Sequence, residues 1–209
     1  MTFETAATSS SPPAPPPRVS AMDDSPKGRI LTAAAQLFRT RGFAKTTVRE
    51  LAAEVGIQSG SLFHHFKSKD AILESVMVEV IEFNTSRLIA ARDAETDPVA
   101  RLRALILTEL NSISGDTKEA MGLLVAEWDA LDGEAQSRVL VLRDRYEKLF
   151  LDAIEQARDR LVDIDPFILR RLIYGIQSGT RTWFNPDGPL STSDLVDLVM
   201  KLARDKESS

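Results

Sequence analysis

The sequence predicts an all-α protein of about nine helices, with a three-helix N-terminal head and a larger helical body. Apolar residues recur at spacings of three and four through most of the chain after about residue 24. Helix-capping signals recur as well, including the Asp-Pro pairs at 97–98 and 165–166. Little of the chain shows the alternation of apolar and polar residues that is typical of strands, so we expect helices throughout.

The head is predicted to contain three helices joined by short turns. Gly42 ends the first helix. Thr47 begins the second with Glu50 three residues on, which is the pattern of a capping box, and Gly56 ends it. The three helices are predicted over 27–41, 47–55 and about 59–66.

The body is predicted to contain the remaining helices, with Asp116 and Ser191 among the residues that mark helix starts. Their predicted positions are 69–92, 98–114, 117–131, 134–162, 166–184 and a last helix after 191. Residues 1–24 are rich in Pro, Ser and Ala and predict a disordered arm. We therefore expect an arm over 1–24, a head over 25–69 and a body over 70–209.

The residue types present argue against an enzyme. The chain of 209 residues has no cysteine and only two histidines, the adjacent His64 and His65. Thiolate metal sites and cysteine nucleophiles are excluded, and a histidine-rich metal site or a Ser-His-Asp triad is disfavoured. We expect no catalytic residues, no metal and no cofactor.

Hydropathy and cysteine usage predict the compartment. No apolar run reaches the roughly 18 residues of a membrane span, and the N-terminus lacks the apolar core of a secretion signal. The absence of cysteine fits a reducing environment. The expected location is the cytoplasm, without a membrane partner.

The charge of the chain is divided unevenly between head and body. The whole chain carries a formal charge of −5, yet Lys27 to Lys69 contains eight Lys/Arg and two Glu. From Asp70 onward there are seventeen basic and twenty-six acidic residues. A basic head on an acidic body is typical of a DNA-binding domain, although a chance cluster on a solvated face gives the same count.

The spacing within residues 47–66 predicts a helix-turn-helix. Ala52 is small where the two helices must approach, and Gly56 stands where the turn needs a positive φ. Ile57 then reaches the core from the turn, and Leu62 and Phe66 anchor the third helix on its inner face. A small residue, a glycine, an apolar plug and an apolar anchor in this order are typical of that motif.

The outer face of the third helix is then available to a DNA major groove. Thr47 also serves as a helix cap, and Phe63 fits either the core or this outer face. The predicted DNA-binding residues are Thr46, Thr47, Arg49, Gln58, Ser59, Gly60, Ser61, Phe63, His64, Lys67 and Lys69.

The head resembles the TetR family of bacterial regulators. The resemblance is carried by AAAQLFRTRGFAKTTVRELAAEVG at 33–56 and GSLFHHFKSKDAIL at 60–73. It implies a homodimer whose two heads read half-sites of a palindromic operator. The family usually has tyrosine where this chain has Phe63, which places the phosphate contact of that hydroxyl in doubt.

The C-terminal segment 175–199 resembles a branch of the same family. That branch contains repressors of cholesterol-ring and fatty-acid catabolism, and the likeness rests on an aromatic pair followed by Gly-Pro-Leu-Ser and the last helix. The resemblance implies a small-molecule effector that is an acyl-CoA thioester.

A dimer interface is predicted on the last two helices. Gly175 and Gly179 leave one face of helix 166–184 nearly bare, so that another helix can approach closely. Packing of the same helices within one chain is the alternative. The predicted interface residues are Gly175, Gly179, Leu195, Leu198, Val199 and Leu202.

An effector cavity is predicted among the body helices, with apolar walls and one or more arginines. Plain core is the favoured alternative for each wall residue, and each arginine could pair with an acidic side chain instead. The predicted effector-binding residues are Leu105, Leu124, Trp128, Tyr146, Phe150, Arg170, Tyr174, Gln177 and Arg181.

These observations together predict a sequence-specific DNA-binding regulator, a repressor whose DNA binding is relieved by the effector. Helix 69–92 joins head to body and is the expected transmitter. A ligand-insensitive regulator or an activator of the same fold is an alternative. A non-specific architectural DNA binder is a further one.

Overall fold

The computed structural model describes residues 25–185 and 188–204, and within these ranges the chain is all-helical, as predicted. The predicted arm over 1–24 lies outside the described residues. The nine α-helices are α1 Pro26–Arg41, α2 Val48–Val55, α3 Ser59–Leu62, α4 Lys69–Asp93, α5 Pro98–Ser114, α6 Lys118–Ala126, α7 Gly133–Gln156, α8 Pro166–Gly179 and α9 Thr192–Ala203. Short 3₁₀ turns at Trp128–Ala130, Arg158–Arg160 and Thr180–Thr182 follow α6, α7 and α8.

Side-chain caps fix most helix starts where the sequence placed them. Thr47 and Ser191 each form a complete capping box, with Glu50 and Asp194 as the reciprocal partners. Asp97 and Asp165 accept backbone N–H bonds at the starts of α5 and α8. Each such cap contributes about 1 kcal/mol to stability.

The predicted helix start at Asp116 is wrong by one residue. Thr117 occupies the N-cap of α6 without a side-chain cap bond, and its hydroxyl donates instead to the Ser112 carbonyl at 2.8 Å. The Asp116 carboxylate pairs with Arg87 at 3.4 Å. The Asp116 side chain therefore pairs with Arg87 on α4 instead of capping α6, the role that local spacing had predicted for it.

The third helix is shorter than the predicted span of about 59–66. Regular α-helix ends at Leu62, and the chain then tightens into turns in which the N–H groups of Phe63, His64 and His65 bond three residues back. Leu62 and Phe66 remain buried on the inner side. The predicted anchors are therefore in place, although the helix is only one turn long.

One apolar core runs from the head into the body. Helix α1 packs against α2, α4 and α6, while α4 packs against α5, α6 and α7. Ile72, Leu73 and Val76 at the start of α4 are fully buried in this core. Since 25 residues of α-helix extend about 37 Å, α4 spans from the head deep into the body.

Candidate DNA-binding surface and effector cavity

The turn between α2 and α3 has the geometry that the sequence predicted. Gly56 has φ +74°, in the left-handed region, and its N–H bonds to the carbonyls of Ala52 and Ala53. The Ile57 N–H bonds to the Ala52 carbonyl at 2.9 Å, and Ala52 itself is buried. These bonds close the turn and hold α3 against α2 with its outer side in solvent.

Seven of the eleven predicted DNA-binding residues are exposed. Phe63 is 53% exposed, so its ring belongs to the surface and not to the core. Ser59 and Ser61 are half-buried. The exposed members of the predicted set are Thr47, Arg49, Gln58, Gly60, Phe63, His64 and Lys67.

Two of the predicted DNA contacts bond to backbone carbonyls of the head itself. Thr46 is 1% exposed, and its hydroxyl donates to the Gly42 carbonyl at 2.9 Å. The Lys69 ammonium donates to the carbonyls of Phe43 and Thr46 at 2.8 and 3.0 Å and lies 4.1 Å from the centre of the Phe43 ring. Both side chains brace the loop between α1 and α2, because that loop ends helix α1 and leaves carbonyls without helical partners.

The Thr47 hydroxyl is also committed within the head. It accepts from the Glu50 N–H at 3.2 Å and lies 2.8 Å from the Glu50 carboxylate. The Thr47 backbone N–H and hydroxyl bonds, with smaller help from Arg41, lower the pKa of Glu50 below its usual value. Lys45 is an exposed cation in the same loop that the sequence reasoning did not single out.

The body contains a cavity of about 70 Å³ between α4, α5, α6, α7 and α8. Leu124, Tyr146, Tyr174 and Arg181 of the predicted effector-binding set line it. The full lining is Ile81, Glu109, Ile113, Met121, Leu124, Val125, Arg143, Tyr146, Glu147, Arg171, Tyr174, Ser178 and Arg181.

The other five predicted effector contacts do not line this cavity. Leu105 and Phe150 are fully buried core, and Trp128 is half-buried against Arg143. Gln177 is buried with its side-chain N–H bonded to the Ile106 carbonyl at 2.9 Å, while its side-chain oxygen has no hydrogen-bond partner among the described residues. Arg170 forms ion pairs with acidic side chains. Pairing of this kind was the alternative to effector binding that the sequence left open.

An ionic cluster that is largely buried borders the cavity through Glu109, Tyr146 and Glu147. The Arg170 guanidinium makes two bonds of 2.8 Å to the Glu109 carboxylate and bonds of 2.8 and 3.0 Å to the Glu147 carboxylate. The Tyr146 hydroxyl donates to Glu109 at 3.1 Å, and the Phe150 ring lies 3.8 Å beneath the guanidinium. Three helices, α5, α7 and α8, are joined through this cluster.

The cluster shifts the protonation of its members. Burial would lower the pKa of Arg170, but the two carboxylates outweigh it and raise that pKa above its usual value. Burial, followed by the charge of Glu109, raises the pKa of the Tyr146 hydroxyl well above its usual value. Arg170 therefore stays charged and Tyr146 stays neutral at physiological pH.

Glu109 lines the cavity but was not predicted from the sequence, although a signal for it exists. Its position lies in register with Leu102, Leu105, Ile106 and Ile113, which form the buried face of α5. A carboxylate on an apolar face needs a buried partner. Nothing local identifies that partner, because Arg170 is 61 residues away.

Exposed residues of α8 and α9 form an apolar surface, the α8–α9 apolar face. This face includes only part of the predicted dimer interface. Leu195 and Val199 are buried within the chain, where α9 packs against α5. Leu198 and Leu202 are 50% and 72% exposed. The rest of the face consists of Phe167, Ile168, Leu172, Gly175, Ile176 and Gly179.

The described residues offer no candidate for a membrane span or a metal site. Neither 25–185 nor 188–204 contains a helix that is long and apolar enough to cross a membrane. Over the same ranges no group of three or more His, Cys, Asp or Glu side chains is arranged to hold a metal ion.

A helix-turn-helix head with an exposed recognition face, on an all-helical body with a cavity, defines a DNA-binding transcriptional regulator. The chain belongs to the TetR family. The model of the tetR family of bacterial regulatory proteins matches residues 30–76, and that of the tetracyclin repressor-like C-terminal domain matches residues 95–206.

Several known proteins are similar over most of the chain. The HTH-type transcriptional repressor KstR2 of Mycobacterium tuberculosis is 27% identical over 184 residues, which cover 85% of this chain and 90% of KstR2. The solved structure of that protein, described as a ketosteroid transcriptional regulator, has a TM-score of 0.78 and 25% identity and covers 90% of this chain and 100% of its own.

Two further solved structures share the fold. One, described as superantigen pfit, is 43% identical with a TM-score of 0.80, covering 88% of this chain and 91% of its own. The other, AibR in complex with isovaleryl coenzyme A and operator DNA, is 23% identical with a TM-score of 0.74, covering 84% and 96%. At that identity the likeness to AibR concerns the fold alone.

Proposed function

We propose that this chain is a repressor that binds a palindromic operator as a homodimer and is released by an acyl-CoA thioester. The observation that carries the proposal is the junction between head and cavity. Helices α4 and α6 line the cavity with Ile81, Met121 and Leu124, and both helices also pack against α1 of the head. A ligand that separates these helices therefore acts directly on the support of the recognition face.

The α8–α9 apolar face supports the dimer. Six large apolar side chains on it are between 38% and 72% exposed, namely Phe167, Ile168, Leu172, Ile176, Leu198 and Leu202. Gly175 and Gly179 have open space where a Cβ would stand, so a partner helix can approach closely. Two such faces placed together form a four-helix bundle with two-fold symmetry.

The character of the cavity supports an effector with an apolar part and an anionic part. Its walls on α4, α5 and α6 are apolar except for Glu109, which is paired with Arg170. On the opposite side, Arg143, Arg171 and Arg181 line it from α7, α8 and the turn after α8, together with Glu147, which also pairs with Arg170. An acyl-CoA combines an acyl chain with phosphate groups. The resemblance of segment 175–199 to the branch of catabolic repressors favours this class.

The size of the cavity indicates how such an effector would act. A volume of about 70 Å³ is well below the roughly 300 Å³ at which pockets for drug-sized ligands begin. An acyl group can enter only if the surrounding helices move apart. The effector thus favours an expanded body, and by linkage a body held by operator DNA disfavours the effector.

Fluorescence anisotropy on the promoter DNA of the chain's own gene tests the proposal. We expect specific binding, and we expect acyl-CoA thioesters to release the DNA where the free acids do not. A Leu124→Trp variant fills the cavity and should lose the response, while Val141→Trp, which changes an exposed α7 residue outside the cavity, should keep it. Binding that no thioester alters would contradict the effector class, and equal competition by random DNA would contradict an operator.

A further inference from the structure

Two arginines, one from the head and one from the body, converge on a single glycine of α6. The Arg39 Nε and the Arg181 Nη2 lie 2.7 and 3.1 Å from the point that a Cβ on Gly122 would occupy. The two nitrogens are therefore less than about 6 Å apart, within the sum of those distances. A side chain at position 122 would fill the space in which both guanidiniums rest.

Neither guanidinium has an acidic partner in the part of the chain that the structure describes. Other arginines of this acidic body do, because Arg87, Arg92, Arg103, Arg138, Arg158, Arg160 and Arg170 all form ion pairs. The nearby Glu127 carboxylate accepts the Phe43 N–H at 3.0 Å and pairs with neither arginine. Two exposed positive charges thus lie close together without an acidic partner among the described residues, and an anion between them is attracted by both.

A separation of less than about 6 Å allows both arginines to bond to one phosphate group. Two donors that each bond at about 2.8 Å to different oxygens of one phosphate stand roughly 5 to 7 Å apart. Arg181 also lines the effector cavity, where Arg143 and Arg171 extend the positive surface. Residues 121, 124 and 125 of α6, on either side of Gly122, line the cavity as well.

We infer that Arg39 and Arg181 form a phosphate-binding subsite across Gly122, which ties the phosphate-bearing part of the effector to the head. The acyl part of the same ligand occupies the cavity beyond Arg181. Arg39 lies on α1 and therefore makes the head itself a part of the effector site. The subsite rests on the proposed effector response, but pyrophosphate binding tests it without any thioester.

Calorimetric titration of the full chain with pyrophosphate and with coenzyme A tests the subsite. We expect Arg39→Gln and Arg181→Gln each to weaken binding of both probes by about tenfold or more, the loss typical of a charge-assisted contact. Gly122→Ala should weaken it too, because the new Cβ displaces the Arg39 side chain. Thermal unfolding of each variant is measured alongside, and weaker binding at an unchanged midpoint is the supporting result.

Two matched variants serve as controls. Arg145→Gln removes an exposed α7 arginine that does not line the cavity, and Gly133→Ala adds a Cβ where nothing lies within 4 Å. Both should bind the probes as the unmodified chain does. Undiminished binding by Arg39→Gln, or no pyrophosphate binding by the unmodified chain at millimolar concentration, would overturn the subsite.

The same variants separate this inference from the proposed function. If acyl-CoA releases operator DNA from Arg39→Gln as potently as from the unmodified chain, the subsite is wrong and the proposed function stands. If the arginine variants lose pyrophosphate binding but no thioester releases the DNA, the subsite stands and the effector class is wrong.

Discussion

Arg170 and Glu109 form a bidentate ion pair in which each side chain is only 1% exposed, with both nitrogen–oxygen distances at 2.8 Å. The pair joins α8 to α5, and Glu147 extends it to α7. These three helices also line the cavity, together with α4 and α6, so the pair connects three of the helices that surround it.

Removing one partner of this pair should destabilise the fold strongly. Arg170→Met leaves the Glu109 carboxylate buried and unpaired, and we expect the free energy of unfolding to fall by about 3 to 5 kcal/mol. Urea denaturation measures this. Arg103→Met, which breaks the exposed ion pair with Asp197, should cost less than about 1 kcal/mol. A double variant, Arg170→Met with Glu109→Gln, should recover part of the loss, and equal losses for Arg170→Met and Arg103→Met would contradict the prediction.

Alkaline titration should separate the two tyrosines of the chain. Burial and the charge of Glu109 raise the pKa of Tyr146 in the folded state, so the neutral form is favoured there. Its contribution to stability is complete below the unfolded pKa of about 10 and is lost as the pH rises above it. As the pH is raised, absorbance at the tyrosinate band should increase in two steps. The step at higher pH should disappear in Tyr146→Phe. A late step that persists in this variant would contradict the assignment.

Restoring the hydroxyl at position 63 should tighten operator binding. Phe63 is 53% exposed on the recognition face, so Phe63→Tyr adds a donor without disturbing the core. We expect a gain of about 0.5 to 1.5 kcal/mol, roughly two- to tenfold in Kd, if the hydroxyl meets a phosphate. Anisotropy at several salt concentrations measures it. Phe83→Tyr on α4 is the control, and a gain shared by both variants would show that the effect is not a contact made by position 63.

Charge on the α8–α9 apolar face should break the proposed dimer. Leu202→Glu places a carboxylate on a side chain that is 72% exposed, so the isolated fold tolerates it while a bundle interface does not. Sedimentation should show a monomer with an unchanged helical spectrum. Val141→Glu, at a valine that is 68% exposed on α7, should leave the assembly unchanged. A Leu202→Glu protein that sediments as the unmodified chain does would contradict this interface.

The turn glycine should be required for its backbone angle alone. Gly56 has φ +74°, and nothing lies within 4 Å of the point that a Cβ would occupy, so Gly56→Ala strains the backbone without a clash. We expect a loss of about 1 kcal/mol, seen as a lower thermal midpoint. Gly60→Ala has equal space and no positive φ, so its midpoint should not fall in the same way. Equal midpoints for the two variants would show that the turn tolerates the strain.

The sequence by itself determined the features that depend on near neighbours along the chain. The caps at Thr47, Asp97 and Ser191 and the left-handed turn at Gly56 involve residues at most five positions apart. Such interactions follow from the local spacing of residue types. They were sufficient to predict the all-helical fold and the helix-turn-helix.

Only the tertiary structure decided what lies opposite each helix face. Helical spacing alone could not separate Leu195, which packs on α5, from Leu198, which is exposed, because both are apolar residues on one short helix. Likewise Lys69 and Arg170 form hydrogen bonds with groups that lie 23 to 61 residues away in the sequence. Arg181, in contrast, has no acidic partner among the described residues. The role of a long cationic side chain depends on the partners that folding brings to it. Those partners are distant in the sequence, so the residues next to the side chain do not identify them.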